Sequence, residues 1–181
     1  MKALLIIDVQ NDYFEKGLCE LDDSFEISMN IKRVLEEFRK KELPIIHIQH
    51  INIRKEASFF LPNTFGVNIH ENVLPKNDEL VVMKNYPNSF IETELENILE
   101  SMNINELVIC GMMSHMCVDS TTRAAFDKGY KCSVIYDACT TKDLSINSHT
   151  IKAKDVHNST MASLNYLFAK VKMLENILNE I

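Results

Sequence analysis

The 181-residue chain is poor in the features that tie a protein to membranes, nucleic acids or the extracellular space. No window comes near the run of about 20 apolar residues that a bilayer crossing needs. Basic residues are outnumbered 19 to 26, and the net charge of −7 removes the basic footprint of non-specific nucleic-acid binding. The first seven residues are apolar enough to look like a secretory leader, but Asp8 interrupts them and no small-residue cleavage site follows. They read instead as a first strand. Without a leader, the five cysteines, an odd number, are expected as reduced thiols in a cytoplasm. Glycine and proline occur only four times each, and no Gly/Ser linker, repeat or low-complexity tract divides the sequence. Residues 1–181 are therefore expected to form a single domain, with 46% hydrophobic residues to fill its core.

Within that frame, segments of two periodicities alternate. Residues 2–8 read as a buried strand ending at Asp8, followed by a loop over 9–23. Asp23 and Glu26 have capping-box spacing, and Ile27, Ile31, Val34, Leu35 and Phe38 trace one helix face until Pro44 stops it. A second strand covers 45–50 and a third 79–84. Between them, residues 51–78 carry two prolines, one glycine and scattered aromatics, a long connection of the kind that serves function. Ser89 and Glu92 form a second capping box ahead of a helix face made by Ile91, Leu95, Ile98, Leu99 and Met102. The central strand, 106–111, is closed by Gly111, and a helix starts at about Met116, with Val118, Thr121 or Thr122, Ala125 and Phe126 at helical spacing. A fifth strand is expected over 131–137, a loop or short helix over 138–151, a helix over 153–168, a short edge strand over 169–172 and a closing helix over 173–181. Strands alternating with helices predict an α/β fold with a parallel sheet.

In such a sheet, ligands bind beyond the carboxyl ends of the strands. Three reactive residues fall there: Asp8 after the first strand, Lys84 after the third and Cys117 on the turn after the fourth. Their chemistry is coherent. Cys117 is the candidate nucleophile, at a helix start where unpaired N–H groups and the helix dipole favour a thiolate. Asp8 is the base for its proton, and Lys84 the cation that favours the thiolate and orients the carboxylate. Backbone N–H groups of Met113 and Cys117 are placed to form an oxyanion pocket. Cys110 and Cys132 lie inside predicted strands and read as core, and Cys19 lies in a loop. Cys139 follows a strand end and is the rival nucleophile, but no helix start stands behind it. A dinucleotide-binding site is excluded, because no glycine-rich fingerprint surrounds Gly111.

These residues resemble the isochorismatase-like cysteine hydrolases, the superfamily that includes nicotinamidases. The matching pieces are Ala-Leu-Leu-Ile-Ile-Asp-Val-Gln-Asn-Asp-Tyr-Phe at 3–14, Lys84 with Ser89-Phe90 behind it, and Gly-Met-Met-Ser-His-Met-Cys-Val-Asp-Ser-Thr-Thr-Arg-Ala-Ala at 111–125. A weaker piece is Tyr-Asp-Ala-Cys-Thr at 136–140. The resemblance implies a three-layer α/β/α, Rossmann-like fold with a six-stranded parallel sheet, and a catalytic triad of Asp8, Lys84 and Cys117. It implies a cis peptide at Met112–Met113, just before the oxyanion turn. It further implies hydrolysis of a C–N bond through a Cys117 thioester, and assembly as a homodimer or homotetramer.

Nicotinamidases of the superfamily carry a metal on an Asp-x-His pair after the second strand, plus a later His. Here that stretch reads His47-Ile-Gln-His50-Ile-Asn-Ile, with no Asp-x-His, and a strand sends His47 and His50 to opposite faces. His70 is too isolated to complete a site. No metal and no cofactor are therefore expected. His115 is expected to line the substrate pocket or pack beside the turn, and Asn11, Tyr13, Phe14 and Phe59 to border the pocket. Phe60, Leu61 and Phe65 extend that wall or an oligomer contact, while Arg123, His149 and His157 read as structural. The leading reading is a metal-independent cysteine hydrolase of a small amide, ureido or carbamoyl compound. The alternatives are a nicotinamidase with atypical metal ligands, an isochorismatase-type vinyl-ether hydrolase, and a non-catalytic small-molecule binder on the same fold.

Overall fold

The apolar run Lys2–Ile7 forms strand β1 of a computed structural model that describes residues 1–76 and 78–181. In chain order there follow α1 (Ser24–Lys40), β2 (Ile45–His50), β3 (Leu80–Lys84), α2 (Leu95–Ser101) and β4 (Glu106–Met112). A wide π-type turn (Ser114–Val118) leads into α3 (Asp119–Asp127), then β5 (Lys131–Thr140), β6 (Leu144–Ile146), β7 (His149–Ile151), α4 (Ala153–Leu167), β8 (Lys170–Lys172) and α5 (Leu174–Leu178). Six strands make one sheet in the order β3-β2-β1-β4-β5-β8, with every neighbouring pair parallel. Strands β6 and β7 form a separate antiparallel hairpin.

The two-residue period of the central strands sorts their side chains into two cores. Leu4 and Ile6 of β1 and Val108 and Cys110 of β4 face α1 and α5, where Ile31, Val34, Leu35, Phe38, Leu174 and Ile177 meet them. Ala3, Leu5, Ile7, Leu107 and Ile109 face the opposite layer, against Leu95 and Leu99 of α2, Val118 and Ala125 at α3, and Met161 and Leu164 of α4. Each fully buried Leu or Ile contributes about 1.5–3 kcal/mol. Both faces of β1 and β4 are covered, which is why these strands read as unbroken apolar runs.

Several sequence expectations are corrected by tertiary contacts. Asp23 does sit at the N-cap of α1, but with φ 49° its side chain makes no capping hydrogen bond. Ser89 does not cap α2: its hydroxyl lies 2.9 Å from the Thr121 hydroxyl and its N–H donates to the same oxygen. The chain runs through turns until Leu95, so Ile91 lies outside the helix. Gly111 does not end β4, which continues to Met112 and gives Cys139 and Thr140 strand partners. Strand β5 therefore runs to Thr140 rather than 137, with a register shift opposite Ile109 and Gly111. The rest of 138–151 forms the β6–β7 hairpin instead of a loop or helix. Among the described residues, no helix is long and apolar enough to cross a membrane.

Gly111 is the residue that lets β1 and β4 close together at their carboxyl ends. Its φ is +127°, and a Cβ there would overlap the Ile7 carbonyl oxygen. Gly129 has φ +90° but nothing within 4 Å of a built Cβ. Gly111→Ala is expected to cost at least about 3 kcal/mol, from backbone strain and overlap together. Gly129→Ala should cost only the left-handed penalty of about 1–2 kcal/mol. Urea unfolding of the two variants checks this; equal losses would mean that the approach of Gly111 to β1 is not a constraint.

Candidate active site

The strand order reverses direction between β1 and β4, and the crevice of an open α/β sheet lies at that switch. Asp8 is the first residue beyond β1. Its φ of 52° is in the left-handed region, and its N–H donates to the Ile48 carbonyl at 3.1 Å. A non-glycine residue held there signals a conformation imposed by its surroundings. Lys84 ends β3, two strands away, and its ammonium reaches Asp8 Oδ2 at 2.8 Å and the Pro87 carbonyl at 3.0 Å. Both side chains are buried. Removing one partner of such a pair costs about 3–5 kcal/mol, because it strands the other charge.

Cys117 arrives from the other side of the switch. The Met112–Met113 peptide is cis, and Met113 stands at the N-cap of the π-type turn with Cys117 as its fourth residue. The Met113 carbonyl accepts from Met116 N–H at 3.1 Å and Val118 N–H at 3.3 Å. The Val118 bond takes the place that the Cys117 N–H would have in an α-helix. The turn is held from outside by Ser114, whose hydroxyl lies 2.7 Å from Nδ1 of His157 on α4. Helical structure thus begins at Ser114, ahead of the expected Met116. The Cys117 sulfur, an Asp8 oxygen and a His50 ring nitrogen all lie within 4.8 Å of one another.

The electrostatics run against the expected thiolate. Burial pushes the Cys117 thiol up, and the neighbouring Asp8 carboxylate pushes it further, against the opposing pull of Lys84. Burial also pushes the Asp8 carboxyl up, but Lys84, His50 and Cys117 outweigh it and hold it below the usual carboxylate range. Burial would lower the Lys84 ammonium, but the Asp8 and Cys117 charges raise it. The resting site therefore carries a neutral thiol beside a carboxylate–ammonium pair. The helix start does not offset the desolvation of a thiolate only 4% exposed.

His50 is the residue that sequence reasoning passed over, because it was weighed only as a metal partner for His47. It ends β2, which lies between β1 and β3, and its register partner is Lys84. Its Nδ1 is 3.7 Å from Asp8 Oδ2 and 3.9 Å from Cys117 Sγ. The signal was present in the sequence: β2 ends in a titratable residue just as β1 and β3 do. The Gln10 amide fixes His50 by donating to its carbonyl at 2.9 Å and accepting from its N–H at 2.8 Å.

The expected pocket residues divide. Tyr13 is buried, packs its ring on Phe60 at 4.5 Å and Phe59 at 5.8 Å, and is raised well above the ordinary tyrosine range by burial and then by the Cys117 and Asp8 charges. Asn11 and Phe14 instead line a surface cleft of about 420 Å³ with Phe65 and His70, whose ring stacks on Phe14 at 3.5 Å. Phe65 is 79% exposed. Phe59 also borders a second cleft, of about 370 Å³, lined by Asn52 and residues 54–58. His115 bonds the Thr141 hydroxyl at 2.6 Å, beside the turn. Asp12 pins the long connection to this region: its carboxylate accepts from Phe60 N–H at 2.6 Å and Leu18 N–H at 3.2 Å. Arg123 pairs with Asp119 one turn away, in keeping with the structural reading.

His47 faces away from this group. Its Nε2 lies 2.8 Å from Glu79, which also binds the Arg39 guanidinium at 2.6 and 2.9 Å. Among the described residues, Asp8, His50 and Cys117 are the one His/Cys/Asp/Glu group with donor atoms close enough to share an ion.

Comparisons with known proteins find relatives of one family across nearly the whole chain. The Isochorismatase domain family matches residues 2–171. The isochorismatase family protein YddQ of Bacillus subtilis is 46% identical over 176 residues, 97% of this chain and 98% of the relative. A streptothricin hydrolase of Streptomyces noursei is 31% identical over 144 residues, 80% of this chain and 56% of that protein. A crystal structure from Oleispira antarctica, named for an isochorismatase hydrolase, superposes with a TM-score of 0.94 at 40% identity, over 98% of this chain and 96% of the other.

The Arg39–Glu79–His47 cluster makes a testable contribution to stability. Burial pushes the Glu79 carboxyl up, but Arg39, the Lys76 N–H and His47 outweigh it and hold it at about 2, against an ordinary 4.5. A depressed carboxyl stabilises the fold above its unfolded value and loses that stability as pH falls through its folded one. The window is therefore pH 4.5 down to 2, and the amount roughly 3 kcal/mol. Urea unfolding at pH 7 and pH 3 should show Glu79→Gln losing about 2 kcal/mol less than wild type on acidification. Equal losses in the two proteins would sink this assignment.

Proposed function

Since the chain belongs to the isochorismatase family of hydrolases, we propose that it is a metal-independent cysteine hydrolase that cleaves a C–N bond of a small amide, ureido or carbamoyl compound. One observation carries this reading. A buried carboxylate–ammonium pair at 2.8 Å stands beside a buried thiol carried by the turn after β4, at the sheet's switch point. The streptothricin hydrolase relative supports hydrolysis over mere ligand holding.

In the proposed reaction, Asp8 takes the thiol proton as Cys117 Sγ attacks the carbonyl carbon, so no standing thiolate is needed. The oxyanion is received by the N–H groups of Met113 and Cys117. As the C–N bond breaks, Asp8 returns that proton to the leaving nitrogen. Water then attacks the thioester and gives a proton to Asp8. The C–S bond breaks, and the sulfur recovers the proton from Asp8, releasing the acid. Lys84 keeps the carboxylate oriented throughout and balances the negative charge that passes between oxygen and sulfur. With its pKa held below the usual carboxylate range, Asp8 is a weak base and a strong acid, a division that favours expulsion of a poor nitrogen leaving group.

The proposal extends to a homodimer or homotetramer, supported by the exposed Phe65 and Leu74 that border one cleft. Cytoplasmic residence is supported by five cysteines that are all free.

The test is intact-protein mass spectrometry after incubation with a panel of small amides and ureido acids, with product release followed in parallel. Wild type should turn over one class or show a trapped acyl adduct on Cys117. Cys117→Ala should lose the adduct and at least about 10³ in rate, and Asp8→Asn about 10²–10⁴. Turnover that survives Cys117→Ala would overturn the thioester route in favour of acid chemistry on a vinyl ether. Equal reactivity of Cys117 and the core Cys110 toward a thiol reagent would count against any nucleophilic role.

A further inference from the structure

We propose that Asp8, His50 and Cys117 form a binding site for a thiophilic divalent cation of the zinc class, and that the bound ion holds the active site shut. The inhibitory half rests on the hydrolase function proposed above; the binding half does not. The donors are a carboxylate oxygen, an imidazole nitrogen and a sulfur, all within 4.8 Å of one another. Zinc bonds of 2.0–2.3 Å at tetrahedral angles separate neighbouring donors by about 3.3–3.6 Å. His50 Nδ1 stands 3.7 Å from Asp8 Oδ2 and 3.9 Å from Cys117 Sγ, a few tenths of an ångström beyond those separations, and the Asp8–Cys117 pair lies within 4.8 Å.

A second, independent observation points to a ligand. Both carboxylate oxygens of Asp8 are buried, and neither makes a hydrogen bond of good geometry, although the Lys84 ammonium stands 2.8 Å from Oδ2. Native interiors rarely leave such atoms unpaired. Asp8 Oδ2, the oxygen 3.7 Å from His50 Nδ1, has the Lys84 ammonium at 2.8 Å, and Oδ1 is left with no hydrogen bond. The His50 main chain is held in place by the Gln10 amide. Three protein donors leave the fourth position for water, the arrangement of an accessible zinc site.

The nearby Lys84 charge opposes any cation, and that repulsion sets the selectivity. Hard ions such as Mg²⁺ bind through charge and oxygen donors, and this site offers them one carboxylate beside an ammonium. A soft ion gains a bond to sulfur that outweighs the repulsion. In binding, the metal–sulfur bond forms as the thiol proton leaves to solvent, one proton per ion, with no change of oxidation state. The ion then occupies both the nucleophile and the base, which excludes attack on a substrate.

The test uses the full chain freed of metal, titrated with Zn²⁺ or Co²⁺ alone and with no substrate. One ion per chain, release of one proton, a rise in Tm with Zn²⁺ and a thiolate-to-cobalt charge-transfer band are expected; Mg²⁺ should change none of these. Cys117→Ser should abolish the cobalt band, and His50→Asn should weaken Zn²⁺ binding by roughly 100-fold. Unfolding curves without metal verify that each variant is folded, and His50→Gln replaces His50→Asn where it is not. Wild-type zinc affinity in a folded His50 variant, or a cobalt spectrum with no thiolate band, overturns the site. Wherever turnover is found, Zn²⁺ should remove it and a chelator restore it; full activity at saturating Zn²⁺ overturns the inhibitory half. Zinc bound as expected by a chain that hydrolyses nothing would overturn the hydrolase reading and leave the site standing.

Discussion

The contact between Asp8 and Lys84 organises everything around it. A carboxylate and an ammonium, both buried, meet at 2.8 Å from strands that are not neighbours in the sheet. Neither charge is tolerable there without the other. Their pairing therefore fixes the carboxyl ends of β1 and β3 relative to each other, with β2 held between them. It also decides who carries the proton at rest. Lys84 makes the carboxylate cheap and the carboxylate makes a thiolate costly, so the sulfur waits as a thiol.

Around this pair, short polar staples do the positioning that a hydrophobic core cannot. Gln10 joins β2 to the long connection through His50 and the Val67 carbonyl. Asp12 joins the loop after β1 to Phe60, and Gly66 must be glycine because a Cβ there would overlap the Asp12 carboxylate. Thr121 of α3 receives Ser89, which ties the segment behind Lys84 to the helix behind Cys117. The Gln10 and Thr121 staples tie together segments that carry reactive groups, and Asp12 anchors the long connection beside them. Hydrogen bonds of this kind add little net stability but leave an expensive orphan when one partner is lost, so they specify geometry more than they strengthen the fold.

The fold was largely legible because its signals are local. Unbroken apolar runs in β1 and β4, the stripe Ile31–Val34–Leu35–Phe38 in α1, and the alternation of strand and helix sufficed for a parallel sheet within α/β layers. The misreadings share one cause. Ser89 had the spacing of a capping residue but found a stronger partner in Thr121, 32 positions away. Residues 138–140 looked like loop because their strand partners, Gly111 and Met112, lie beyond a glycine that seemed to end β4.

At the site, residue types and strand ends were enough to single out Asp8, Lys84 and Cys117, since reactive groups at carboxyl ends of parallel strands share one edge of the sheet. Strand order was not in the sequence. It is the order β3-β2-β1 that sets His50 between Asp8 and Lys84, and it is long-range pairing that turns Asn11 and Phe14 toward a separate cleft. The protonation of the sulfur was likewise undetermined, because a helix start and a buried carboxylate push it in opposite directions and only their distances and burial choose the winner. Local patterning fixes which elements form and which groups stand at their ends. Which of those groups touch, and with what charge, follows from packing, since desolvation and Coulomb energy depend on separations that no stretch of chain encodes alone.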